Sequence, residues 1–73
     1  MASWGDRKAD RIAETLLRQI ASGRWRPGTL LEREAELAET HAVNRSVVRE
    51  AIRQLEAHGL VRPVKRRGTV VLD

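Results

Sequence analysis

Three arginines recur at every fourth residue in the segment VNRSVVREAIRQL. They are Arg45, Arg49 and Arg53, called here the arginine stripe. On a helix they share one side and span about 12 Å, close to the width of about 12 Å of a DNA major groove. A guanidinium can bond O6 and N7 of guanine together. The stripe therefore has the chemistry to contact base edges.

The same spacing has a plainer interpretation, in which the stripe only keeps an exposed helix face soluble. Like charges at i,i+4 are mildly destabilising when water alone faces them. Glu50 and Glu56 can relieve part of that repulsion, and an anionic partner would relieve more. Asn44 and Ser46 lie in the same turn as the start of the stripe, and asparagine can bond adenine N6 and N7. The pattern therefore favours nucleic acid over solvent as the partner.

A second basic group lies in KRRG, between the β-favouring runs LVRPV and TVVL. Glycine in so short a connection predicts a β-hairpin, with Lys65, Arg66 and Arg67 at its tip. Basic side chains there can reach phosphates or enter a minor groove. A basic loop alone is usually solvated, but together with the stripe it predicts two contacts with DNA. Pro63 cannot donate to a ladder, so its strand is expected at an edge.

The helix that carries the stripe is predicted at about residues 45–58. Asn44 is an acceptable N-cap, and Gly59 follows at the position where helices often end. The opposite side of this helix is apolar at i, i+3, i+4 and i+7, which predicts the core contacts. Those residues are Val48, Ala51, Ile52 and Leu55.

Two further helices are predicted before it. The first has Asp6 as its N-cap and Gly23 at its end, and Trp25 is expected to pack over the end of the core. RPGT predicts a turn and TLL a very short strand. REAELAETH predicts the second helix, with Leu37 and Ala38 facing inward. The first helix has apolar residues at helical spacing: Ala9, Ile12, Ala13, Leu16, Leu17 and Ile20.

The predicted order is helix, short strand, helix, tight turn, helix and hairpin, which is that of a winged helix-turn-helix. We therefore predict an α+β, mainly helical fold with three helices and a C-terminal β-hairpin wing at residues 62–71. The length of 73 residues favours one domain, 1–73. We expect residues 1–5 to be disordered.

The net charge of +4 lies in the C-terminal part of the chain. Residues 1–43 hold seven basic and seven acidic residues, whereas residues 44–73 hold seven basic and three acidic ones. A surface biased in this way suits a polyanion such as nucleic acid.

Composition argues against several other functions. The chain lacks cysteine, and His41 and His58 lack partners at ligand spacing, so we expect no metal, cofactor or enzyme activity. No apolar run approaches the roughly 20 residues of a membrane span, and the first residues lack the apolar core of a signal peptide. We therefore expect a soluble, cytoplasmic protein without a membrane partner.

A winged helix can also dock on a protein or bind RNA. A protein-docking face carries exposed aromatic or aliphatic anchors, and RNA-binding domains usually display stacking aromatics. The chain has two aromatic residues, both tryptophan, and no such anchor is evident beside the stripe. Double-stranded DNA is therefore the favoured partner.

Most of the chain resembles the N-terminal DNA-binding domain of the GntR family of bacterial transcriptional regulators. The family pattern runs from a PG turn through L-x-x-E-x-x-L-A and V-S-R-x-x-V-R-E-A-L to L-x-x-x-G-L-V, then a basic residue and glycine in the wing. The matching residues are Pro27, Gly28, Leu31, Glu34, Leu37, Ala38, Val43, Arg45, Val48, Arg49, Glu50, Ala51, Leu55, Gly59, Leu60, Val61, Arg67 and Gly68.

The resemblance implies that the third helix is the recognition helix and lies in the major groove. Arg45 and Arg49 would contact bases or adjacent phosphates, and the wing tip with Gly68 would approach the minor groove. Glu50 would have a structural role, holding a basic neighbour. The leading edge of the helix would consist of Asn44, Ser46 and Val47.

The chain departs from the family pattern at several contact positions. Asn44 replaces serine or threonine but can still cap, and Val47 stands where proline or threonine is common. Ala35 stands where an arginine often helps to contact DNA. Arg33 replaces a small capping residue and is a candidate to supply that contact.

The resemblance also implies a C-terminal domain outside residues 1–73. That domain would bind a small-molecule effector and form a homodimer. We therefore expect this chain to contact one half-site of an operator, and to do so weakly by itself.

Overall fold

The computed structural model describes residues 7–72 and contains three helices followed by an antiparallel hairpin. The helices are α1 (Lys8–Ala21), α2 (Glu34–His41) and α3 (Arg45–Ala57), and the strands are β1 (Val61–Val64) and β2 (Gly68–Val71). The predicted winged helix-turn-helix is confirmed. Residues 1–5, for which we expected disorder, lie outside the described residues. Within residues 7–72 no helix combines the length and apolar character needed to cross a membrane.

An acidic side chain in the first turn closes the start of both α1 and α2. The N–H of Arg7, the N-cap of α1, donates to Asp10 Oδ2 at 3.2 Å. The N–H of Arg33, the N-cap of α2, donates to Glu36 Oε1 at 3.2 Å. Each bond satisfies the backbone N–H of an N-cap residue, at a helix N-terminus where the N-cap residue is an arginine and not one of the usual capping residues. Asp6, our predicted N-cap, lies outside the described residues, and Arg7 occupies the N-cap position.

The turn between α2 and α3 is tight because Ala42 takes a left-handed conformation with φ 56° and ψ 47°. Its N–H bonds to the carbonyl groups of Ala38 and Glu39, and the N–H of Val43 donates to Ala38 O at 3.0 Å. Asn44 occupies the N-cap position of α3, as predicted. Its side chain makes no capping hydrogen bond within the described chain, so the amide remains at the surface.

The apolar sides of the three helices meet in one core, which fixes the orientation of α3. Trp25 is half-buried and packs against this core, as predicted, and its Nε1–H donates to Gln19 Oε1 at 3.2 Å. The predicted inward residues of α3 are all buried, together with residues of α1 and α2: Val48, Ala51, Ile52, Leu55, Ile12, Ala13, Leu16, Leu37 and Ala38.

The wing is attached to the helical body along β2. In the hairpin, Pro63 of β1 lies opposite Thr69 of β2, and Leu30 bridges Val70 from the other side of β2. The N–H of Leu31 donates to Thr69 O at 2.8 Å. The predicted short strand is therefore present as a single bridge, and in the described sheet Pro63 lies on the edge strand, as expected.

Candidate nucleic-acid interface

The arginine stripe is exposed on α3 and lies beside the buried side of that helix. Asn44 and Ser46 are also exposed at its start. Val47 is half-buried and packs against the core, so only part of its side chain is available to a ligand. The structure thus brings most of the predicted leading edge to one accessible surface, and the DNA contacts of these residues stay predictions.

The tip of the wing presents three basic side chains to solvent. Lys65, Arg66 and Arg67 form an exposed turn, closed by a bond of 3.0 Å from Arg67 N–H to Val64 O. Arg66 takes φ 67°, a left-handed conformation that side-chain-bearing residues rarely adopt. Gly68 follows with φ 117°, which glycine adopts without a steric penalty. The turn therefore presents these cations at the surface of the wing.

A groove separates the start of α2 and the start of α3 from the wing. Its lining includes Arg33, Arg45, Arg67 and Gly68. The sequence placed these candidates on three separate elements, and the fold brings them to one concave surface. Glu32, Glu34 and Glu36 also line this groove, so its acidic and basic side chains balance. The excess of positive charge lies on the remainder of the stripe and on the tip of the wing.

The middle arginine of the stripe is held by an acidic residue of α2. Arg49 Nε donates to Glu34 Oε2 and Arg49 Nη2 donates to Glu34 Oε1, each at 3.3 Å. The hydrogen bonds and the charge of Glu34 raise the pKa of Arg49 above its ordinary value, so its guanidinium stays charged. Sequence analysis missed this pair because 15 residues separate its members and no helical period links them.

A second polar contact ties α3 to the start of α1. Arg7 Nη2 lies 2.9 Å from Glu50 Oε2, and Gln54 Nε2 donates to the buried Asp10 Oδ1 at 2.9 Å. The bond from Gln54 is the main reason that the pKa of Asp10 lies below its usual range. Glu50 thus holds a basic residue of another element, in agreement with the structural role implied by the resemblance.

Within residues 7–72, no three His, Cys, Asp or Glu side chains come together as metal ligands would. His58 Nδ1 lies 2.8 Å from Gln54 O at the end of α3, and His41 is half-buried at the end of α2.

A tight turn joins α2 to α3, the exposed side of α3 is basic, and a basic hairpin follows. These features define a winged helix-turn-helix domain of the DNA-binding class. The chain belongs to the gntR family of bacterial regulatory proteins, whose family model matches residues 8–71. The resemblance noted in the sequence is thereby confirmed.

Curated relatives with similar sequences are bacterial transcription regulators. The chain is 46% identical over 61 residues to the uncharacterized HTH-type transcriptional regulator YieP of Escherichia coli (strain K12), covering 84% of this chain and 26% of that protein. It is 44% identical over 64 residues to the galactonate operon transcriptional repressor of the same strain, covering 88% and 28%. The chain thus spans about a quarter of the length of these relatives.

Solved structures with a similar fold include complexes of AraR with operators. AraR(DBD) in complex with operator ORR3 superposes with a TM-score of 0.84 at 31% identity, over 88% of this chain and 77% of that chain. The NTD of AraR in complex with mutant ORR3 gives a TM-score of 0.87 at 29% identity, over 94% and 99%. Both are similar to this domain over most of its length.

Proposed function

We propose that this domain binds one operator half-site of double-stranded DNA, with α3 in the major groove and the wing at the minor groove or the backbone. Sequence-specific DNA binding as part of a transcription regulator is its function. The observation that carries the proposed geometry is the exposed arginine stripe of α3, together with the exposed basic tip of the wing.

Each part of the surface has a separate task in this proposal. Arg45 and Arg49 contact base edges or adjacent phosphates, and Asn44 and Ser46 contact the bases that the start of α3 faces. The remaining basic side chains neutralise phosphates, which fixes position without reading sequence. These are Arg33, Arg53, Lys65, Arg66 and Arg67, with the Gly68 backbone close to the minor groove.

The exposed surface supports DNA over protein or RNA as the partner. Within residues 7–72, Leu30 is the one large hydrophobic side chain that is exposed, so this part of the chain offers no cluster of anchors for a protein. The aromatic residue in that range, Trp25, packs against the core and provides no stacking platform for RNA bases. We infer a binding module without catalytic activity that needs no cofactor of its own.

We propose that the whole protein is a homodimer formed by a domain outside residues 1–73, which also binds a small-molecule effector. Support comes from the relatives, of which this chain matches about a quarter. Two copies would place one recognition helix in each half-site of an operator. The regulator would act in the cytoplasm, where its DNA target lies.

Selection of duplexes from a random pool at fixed salt tests this proposal. The wild-type chain should enrich a short motif, and Arg45→Ala should weaken binding to that motif by about 1–3 kcal/mol, the scale of a bidentate base contact. Arg18→Ala is the matched control, since Arg18 lies on α1 and pairs with Glu14. Failure to enrich any motif, or equal losses in the two variants, would contradict the proposal.

A further inference from the structure

The pair between Glu34 and Arg49 uses one specific edge of the guanidinium. The two bonds of 3.3 Å come from Nε and Nη2, which is the side edge of the planar group. Glu34 is the first residue of α2 and Arg49 lies in the second turn of α3. Because both helices are packed into the core, these two bonds favour one orientation of the guanidinium plane relative to α3.

The other edge of the same guanidinium remains available. Arginine carries five N–H donors, so the two N–H groups of Nη1 and one of Nη2 do not face Glu34. The Arg49 side chain is still 52% exposed. Nη1–H and Nη2–H together form the end edge, whose two parallel donors match O6 and N7 of guanine.

The charge of Glu34 decides between a base and a phosphate as the acceptor for that edge. A carboxylate in direct contact with Arg49 offsets its positive charge and repels a phosphate that approaches the same group. Guanine O6 and N7 are neutral acceptors and suffer much less repulsion. Arg45 and Arg53 form no ion pair among residues 7–72, so no carboxylate in direct contact offsets their charge.

We propose that Glu34 is a positioning residue that presents the end edge of Arg49 to a guanine in the major groove. This inference rests on the proposed placement of α3 in that groove. Arg49 is then a base-reading member of the stripe, and its role depends on a carboxylate from another helix.

The experiment compares Glu34→Gln with wild type on two duplexes, the motif selected by wild type and a random sequence. Glutamine replaces one carboxylate oxygen with an N–H₂ group, which cannot accept a hydrogen bond. The side edge of Arg49 therefore loses one acceptor, and the negative charge beside it is removed. Binding to the selected duplex should weaken by roughly 5- to 150-fold, the range of one bidentate base contact. Binding to the random duplex should hold or tighten, with a salt slope steeper by up to about 0.9.

Two matched variants separate positioning from a general effect of charge or folding. Glu39→Gln removes the same charge from α2, and Glu39 forms no side-chain hydrogen bond or ion pair within residues 7–72; it should retain wild-type discrimination. Arg49→Lys keeps the charge but cannot make two parallel bonds, so it should lose the preference for guanine while its salt slope holds. Circular dichroism confirms that each variant is folded before binding is compared.

The outcomes also separate this inference from the proposed function. If wild type selects a motif and Glu34→Gln binds it equally or more tightly with the same guanine preference, Glu34 only restrains Arg49, and the positioning role is wrong. If Glu34→Gln weakens both duplexes equally or unfolds while Arg49→Lys keeps the guanine preference, the role is also wrong. If wild type selects no motif, the proposed function itself fails.

Discussion

Raising the salt concentration should weaken DNA binding steeply. Seven basic residues lie at the proposed interface: Arg33, Arg45, Arg49, Arg53, Lys65, Arg66 and Arg67. The charge of Arg49 is offset by its ion pair with Glu34, while the other six form no ion pair within residues 7–72. Up to about six phosphates would then be neutralised, which gives a slope of log K against log salt near −5. Between about 50 and 200 mM salt, affinity should fall roughly 10³-fold.

Fluorescence anisotropy of a labelled duplex over that salt range measures this slope. Arg66→Ala should make it shallower by about 0.9, because one phosphate contact is lost. Arg18→Ala changes the net charge equally at a position on α1 and should leave the slope unchanged. A wild-type slope shallower than about −2 would refute the argument that the exposed cations contact phosphates.

Two further predictions concern the fold that holds the interface. Leu55 is fully buried, whereas Leu30 is 45% exposed. In urea titrations, Leu55→Ala should therefore lower the free energy of unfolding by about 2–5 kcal/mol, and Leu30→Ala by only about 1 kcal/mol. Equal effects of the two substitutions would contradict the assigned core. The hydrogen bond from Gln54 is the main reason that the pKa of Asp10 is lowered in the folded protein. The ionised Asp10 therefore contributes its full stabilisation above the unfolded-state pKa of about 3.9. That stabilisation is lost as the pH falls through the lower folded-state pKa. The urea midpoint should therefore drop in acid less steeply for Asp10→Asn than for wild type, and identical pH profiles would disprove this linkage.

The fold was predictable because its elements follow local rules. Apolar spacing on α3 placed Val48 and Leu55 in the core, and Gly59 marked the end of that helix with φ 76°. The start of α2 was less clear, since Arg33 offers no cap side chain. There the cap comes from Glu36, three residues further on, and an arginine before a helix does not signal that arrangement by itself.

The candidate site was predictable where it depends on one element and not where it depends on two. The side of α3 that carries the stripe follows from a helical period. The partners of its polar residues do not, because Glu34 lies 15 residues from Arg49 and Asp10 lies 44 residues from Gln54. Such contacts depend on how the helices pack, which the pattern within one helix does not encode.

The same contacts explain why the neutral N-terminal part of the chain matters to a basic recognition surface. Its acidic groups meet α3 from two elements, since Asp10 of α1 accepts from Gln54 and Glu34 of α2 accepts from Arg49. Glu50 of α3 in turn pairs with Arg7. A rotation of α3 by one residue, about 100°, would break all three contacts as well as expose its apolar side. The packing therefore fixes which side of α3 faces outward, and the contact with Glu34 orients Arg49 on that side.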